Sequence, residues 1–136
     1  MPLFVYGTLR TGEPLNPHFL DGIDLVPAQT DPSVAQYELR VNDLNAAYPW
    51  MVRSEDPEDP WTRSVVGEVA WISDPQVLAQ VRGMEERAGY VTEWVSVQLD
   101  DLAPEIASID ALAFVFPDPQ VGFLSISHGD WTKFGR

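Results

Sequence analysis

"SDPQVLAQVRGMEERAGY", residues 73–90, is the segment in which apolar residues recur at helical spacing, whereas its flanks break into shorter pieces. Asp74 is a residue type that caps helix starts, and Pro75 has the fixed φ that suits a first turn. With Val77 set at 0° and an advance of about 100° per residue, Leu78 falls at about 100°, Val81 at about 40° and Met84 at about −20°. These four make one apolar face. Glu85 falls at about 80°, inside that face, and Glu86 at about 180°, opposite it. A carboxylate on a packed face loses hydration, and its pKa rises towards neutrality, as a group that takes and returns protons requires. The same phase is compatible with Glu85 at the edge of the face, reaching water or pairing with an arginine. Phase alone therefore makes Glu85 a candidate.

Outward from this helix the pattern is that of strands. Upstream, Leu3, Phe4 and Val5 in "LFVYGTLRTG" (3–12) read as a buried strand that stops at a turn bracketed by Gly7 and Gly12. A strand ending in this way leaves backbone N–H groups that face either water or an anion. At most a short helix fits around Leu15 to Leu20. Candidate strands follow in "IDLVPAQT", "AQYELR", "AYPWMV" and "SVVGEVAWI". Downstream come "YVTEWVSVQL", with clear alternation, and "IDALAFVF", nearly continuously apolar. The tail "FLSISHGDWTKFGR" reads as a last strand or turn. The 12 prolines and 9 glycines punctuate these pieces as in a mostly β domain. The expectation is one domain over residues 1–136, of α+β class. It consists of a small, mostly antiparallel, barrel-like sheet of about six or seven strands with one main helix.

Charge narrows the partners. With 21 acidic residues against 8 basic ones the chain carries −13, so no basic stripe is available for nucleic acid or an anionic membrane surface. The sequence has no apolar run of spanning length and no signal-peptide pattern, which makes the cytoplasm the expected compartment. There is no cysteine, hence no disulfide, thiol nucleophile or thiolate metal site. His18 and His128 are the only imidazoles and lie far apart. The acidic "SEDPEDP" (54–60) lacks the glycine and ligand spacing of a calcium loop and reads as a solvated surface loop. No metal and no cofactor are expected, and the oligomeric state is open.

The motifs "FVYGTLRTG", "YELR", "AYP", "VVGEVAWI", "MEERAGY", "AFVF" and "SHGDW" together resemble the gamma-glutamylcyclotransferase-like family, in order and spacing over nearly the whole chain. The resemblance implies a barrel-like sheet with a cavity, a Tyr-Gly-Thr-Leu loop at its mouth and one catalytic glutamate facing it. Carried over residue by residue, the loop is Tyr6, Gly7, Thr8, Leu9 and Arg10, and the glutamate is Glu85. Family members often have Asp three residues before that glutamate and Gly directly after it, where this chain has Arg82 and Glu86. Glu86 is thus a rival, and helical phase favours Glu85.

The implied reaction is cleavage of a γ-glutamyl amide by the substrate's own α-amine, releasing 5-oxoproline and a free amine. Such a ring closure needs positioning, one acid/base and a cradle for negative charge, and no protein nucleophile, metal or cofactor. The N–H groups of Gly7, Thr8 and Leu9 suit that cradle. A γ-glutamyl amidase using water and a non-catalytic ligand-binding barrel are the alternatives. Tyr48 and Tyr90 are candidates to line the pocket, with core packing equally open for each. Trp50, Trp71, Trp94 and Trp131 read as packing residues. His128 and Asp130 read as shaping the terminal turn rather than as an acid/base pair.

Overall fold

The computed structural model describes residues 1–43, 46–54, 64–99, 108–118, 121–122, 124–126 and 129–134. Five strands close into a barrel: β1 (Pro2–Val5), β2 (Leu25–Thr30), β5 (Val66–Trp71), β6 (Val91–Leu99) and β7 (Ile109–Val115), in the order β1-β5-β2-β6-β7. All neighbours are antiparallel except β1 and β7, whose parallel pairing sets Leu3 beside Leu112 and shuts the barrel. The remaining strands, β3 (Tyr37–Val41), β4 (Trp50–Arg53) and β8 (Leu124–Ile126), form a separate antiparallel sheet in the order β4-β3-β8. The expected α+β architecture with one main helix is present. Its strands number eight among the described residues, because the second sheet is distinct from the barrel.

Alternation along the strands divides the core in two. Phe4, Tyr6, Val69, Val95, Val97 and Ala113 point to one side and pack with Leu39, Val41 and Met51 of the second sheet. Leu3, Val5, Ala70, Leu112 and Phe114 point to the other side, where Val77, Leu78, Val81 and Met84 of α2 (Pro75–Arg87) cover them. The helix thus lies on the barrel through the face deduced from its spacing. Its start is also as deduced, with the Asp74 carboxylate accepting from the Gln76 N–H at 2.9 Å and Pro75 in the first turn. The short helix expected near Leu15 is α1 (Asn16–Phe19), which contacts α2.

The tryptophans need a correction. Trp131 is buried and Trp50 packs among aromatic rings, but Trp71 and Trp94 are 47% and 57% exposed. Trp94 falls on the outward phase of β6, which strand periodicity does not bury, and Trp71 is the last residue of β5, at the end of the strand. Most of "SEDPEDP", and His128, lie outside the described residues.

Candidate active site

The end of α2 is fixed by its last few residues. Gly89 adopts φ +97°, and its N–H donates to Glu86 O while the Tyr90 N–H donates to Glu85 O, each at 3.1 Å. This is the paired C-terminal cap that glycine permits, and it turns the chain directly into β6. Its consequence is local: the residue carrying the carboxyl and the tyrosine five positions later are locked together. Both Glu85 and Tyr90 line a cavity of about 450 Å³.

The loop after β1 forms the facing wall, with Tyr6, Gly7, Thr8 and Leu9 all lining the cavity. The Arg10 N–H donates to Gly7 O at 3.1 Å, the Leu15 N–H to Thr8 O at 3.0 Å, and the Asn16 side-chain amide to Leu9 O at 2.9 Å. The loop's carbonyls are thereby committed. Its Gly7, Thr8 and Leu9 N–H groups, in contrast, have no acceptor among the described residues. A Cβ on Gly7 would come within 3.0 Å of the Pro49 ring, so glycine here lets the 47–49 segment close against the loop. Ala47, Tyr48 and Pro49 make the third wall, and Phe114 of β7 completes the enclosure.

Two tyrosines brace these walls. Tyr6 Oη donates to Phe114 O at 2.5 Å across the β1/β7 junction, and Tyr90 Oη donates to Pro49 O at 2.7 Å. Burial raises the pKa of both phenols, and the neighbouring Glu85 charge adds to the rise, so both stay protonated at neutral pH. Tyr48 is half-exposed, edge-on to Trp50 with ring centroids 5.9 Å apart.

The Glu85 carboxyl lies at the cavity wall. Burial pushes its pKa up to about 7, and its carboxyl has no hydrogen-bond or ion-pair partner among the described residues. Glu86 points to solvent and pairs with Arg82 at 3.0 Å, the i,i+4 arrangement of an exposed helix face. The two adjacent glutamates are separated as helical phase predicts.

Arg10 does not line the cavity. Its guanidinium donates to Asp130 at 2.7 Å and lies 3.6 Å from Glu68, which itself accepts from the Thr11 N–H and Oγ1. Burial alone would raise the Asp130 pKa, but hydrogen bonds from Thr132 and the Arg10 charge hold it below the usual carboxylate range. Asp130 also caps the final turn through Thr132, in keeping with the reading of that residue as shaping the terminal turn. Among the described residues no group of three potential metal ligands comes together. Pro14, Leu15, Met84 and Ala88 also line the cavity and are absent from the sequence-derived set. Only their position, one loop or one helical turn from residues already singled out, could have signalled them.

A model of the gamma-glutamyl cyclotransferase, AIG2-like family matches residues 3–133. The chain belongs to that family. Membership supports an enzyme of the cyclotransferase kind. Solved structures carry the same fold. An uncharacterized protein from Pyrococcus horikoshii is 21% identical over 98% of this chain and 91% of its own, with a TM-score of 0.70. YkqA from Bacillus subtilis is 26% identical over 97% of this chain but only 39% of its own length, with a TM-score of 0.68. An AIG2-like protein (ggact) from Mus musculus is 24% identical over 85% of this chain and 76% of its own, with a TM-score of 0.63. Comparison with curated proteins finds no match. No helix among the described residues of this cyclotransferase-family chain is long and apolar enough to cross a membrane.

Proposed function

We propose that the protein cleaves a γ-glutamyl amide by intramolecular cyclisation, with Glu85 as the single acid/base. The observation that carries this reading is a desolvated carboxyl at the wall of a cavity whose facing loop has backbone N–H groups, carboxyl and N–H groups alike without a partner among the described residues. In the reaction the substrate's α-nitrogen forms a bond to its γ-carbonyl carbon, and the bond from that carbon to the amide nitrogen breaks. Glu85 takes a proton from the attacking amine and returns one to the departing nitrogen. The products are 5-oxoproline and the freed amine. A carboxyl with a pKa of about 7 exists in both forms at neutral pH, as both transfers need.

The N–H groups of Gly7, Thr8 and Leu9 suit the substrate's α-carboxylate and the oxyanion that develops on the carbonyl. The two bonded tyrosines hold the walls at a fixed separation, so the attacking nitrogen and the carbonyl stay in reach of each other. The test is incubation with a set of γ-glutamyl amines, scored by mass for 5-oxoproline. Glu85→Gln should reduce turnover by about 10²–10⁴-fold, with Glu86→Gln close to the native rate. Release of glutamate in place of 5-oxoproline would mean that water attacks and the protein is an amidase. Full activity of a folded Glu85→Gln protein would remove this carboxyl from the chemistry.

A further inference from the structure

The loop after β1 takes its shape from bonds that close on itself. The Arg10 N–H to Gly7 O, the Leu15 N–H to Thr8 O and the Asn16 amide to Leu9 O all lie within residues 7–16, so they curl the segment without tying it to the barrel. A tie comes from Glu68 on β5. Its backbone is in register with Val5, the residue before Tyr6, and its carboxylate accepts the Thr11 N–H at 2.7 Å on Oε1 and the Thr11 hydroxyl at 2.9 Å on Oε2. One residue thus grips the chain on both sides of residues 6–10. Because β5 lies between β1 and β2, with Glu68 also in register with Pro27, the grip is anchored inside the closed sheet. Glu68 is 9% exposed and does not line the cavity.

We infer that Glu68 is a positioning residue: by holding Thr11 against β5 it fixes where the N–H groups of Gly7, Thr8 and Leu9 stand relative to the Glu85 carboxyl at the same cavity. As a statement about catalysis this rests on the reading of the site given above. A cradle of N–H donors works only when they are already aimed at the place where negative charge develops. A displacement of about 1 Å in such a site can cost about a hundredfold in rate. Arg10 contributes charge to Glu68 rather than a hydrogen bond. Its buried Nε lies 3.6 Å from Glu68 Oε1 and makes no hydrogen bond among the described residues, while its Nη1 donates to Asp130 at 2.7 Å. The grip on the loop therefore resides in the two Thr11 bonds. Glutamine can reproduce both, its oxygen accepting from the N–H and its amide donating to the hydroxyl oxygen. Leucine, of similar size, can make neither.

The experiment compares Glu68→Leu with Glu68→Gln. It reads kcat/KM for 5-oxoproline release from a γ-glutamyl amide, and the NMR order parameters of the Gly7, Thr8 and Leu9 amides. Glu68→Leu should lower kcat/KM at least tenfold and drop those order parameters from about 0.85 to below about 0.6. Glu68→Gln should stay within roughly threefold of the native rate and keep the order. A loss in Glu68→Gln as large as in Glu68→Leu would place the effect in the buried charge and overturn the inference, as would an unchanged rate or unchanged order in folded Glu68→Leu protein. If Glu68→Leu does not fold, Thr11→Val and Thr11→Ser decide, since Thr11 is exposed. Thr11→Val loses the hydroxyl bond and should lower kcat/KM by roughly threefold or more, while Thr11→Ser keeps the bond and the rate; equal rates in the two overturn the inference. A native protein that releases no 5-oxoproline refutes the cyclisation reading and leaves the clamp to the order parameters alone. The inference then stands if they fall in Glu68→Leu protein, or in Thr11→Val protein where the former does not fold, and fails if they do not.

Discussion

Replacing Glu85 with glutamine should make the protein more stable, and by an amount that depends on pH in a calculable way. Burial holds the folded-state carboxyl at about 7 against an ordinary value of 4.5, so the folded protein keeps a proton that the unfolded chain releases. A raised acid pKa disfavours folding once the group ionises. The stability contributed by the carboxyl therefore falls as pH rises from about 4.5 and levels off above about 7. Glutamine is neutral throughout and escapes this loss. The linkage relation gives a Glu85→Gln advantage of about 1 kcal/mol at pH 5 and about 3 kcal/mol at pH 8. Urea unfolding followed by circular dichroism measures it. With a slope of roughly 2 kcal/mol per molar urea for a domain of this size, the midpoint gap should grow by about 1 M between the two pH values. A midpoint difference that is the same at pH 5 and pH 8 would refute the reasoning, since it would mean that Glu85 ionises in the fold as easily as in water.

Three further outcomes are expected. The acidic limb of kcat/KM should have its midpoint near 7, because the base must be ionised to take a proton; a limb near 4.5 would detach the rate from the buried carboxyl. An N-acetylated γ-glutamyl substrate should be inert, since its α-nitrogen can no longer attack, and cleavage at a comparable rate measured by mass would exclude cyclisation. Gly89→Ala should cost about 1–2 kcal/mol for a side chain at positive φ, lowering Tm by roughly 3–8 °C. The new Cβ also meets the Phe116 ring at 3.1 Å, so KM should rise as Tyr90 moves; an unchanged Tm and KM would show that the cap does not hold the site.

The helix was legible because all its determinants are local. Asp74, Pro75 and the spacing of Val77, Val81 and Met84 state where it begins and which side it buries, and that phase separates Glu85 from Glu86. The first loop was legible as a strand that stops at a glycine turn, and its Gly7–Leu9 portion does line the cavity. Arg10 belongs to the same motif, yet its partners Glu68 and Asp130 come from distant parts of the chain, which no local pattern reveals. Pro49 is similar: nothing in "AYP" shows that its carbonyl receives the Tyr90 hydroxyl or that its ring needs a glycine opposite. The division into barrel and separate sheet also escaped, because β3 and β4 are short strands with buried apolar residues like those of the barrel and only their pairing sets them apart. Trp71 and Trp94 show the limit of composition, since size and hydrophobicity favour burial while strand phase turns Trp94 outward and Trp71 stands at the end of its strand.

The parallel junction of β1 and β7 has a kinetic consequence. The Tyr6 hydroxyl and the Phe114 carbonyl that it meets are 108 positions apart, and the chain between them supplies every other strand of the barrel. Contacts of such sequence separation are slow to form, because loop closure is unfavourable until they are made. The cavity, with walls drawn from both sides of this junction, has no partial form: it comes into being when the first strand docks beside a late one. Recovery of ligand binding during refolding should therefore lag behind the return of helical circular dichroism and coincide with the last structural phase, so that occupancy of the cavity times the closure of the barrel.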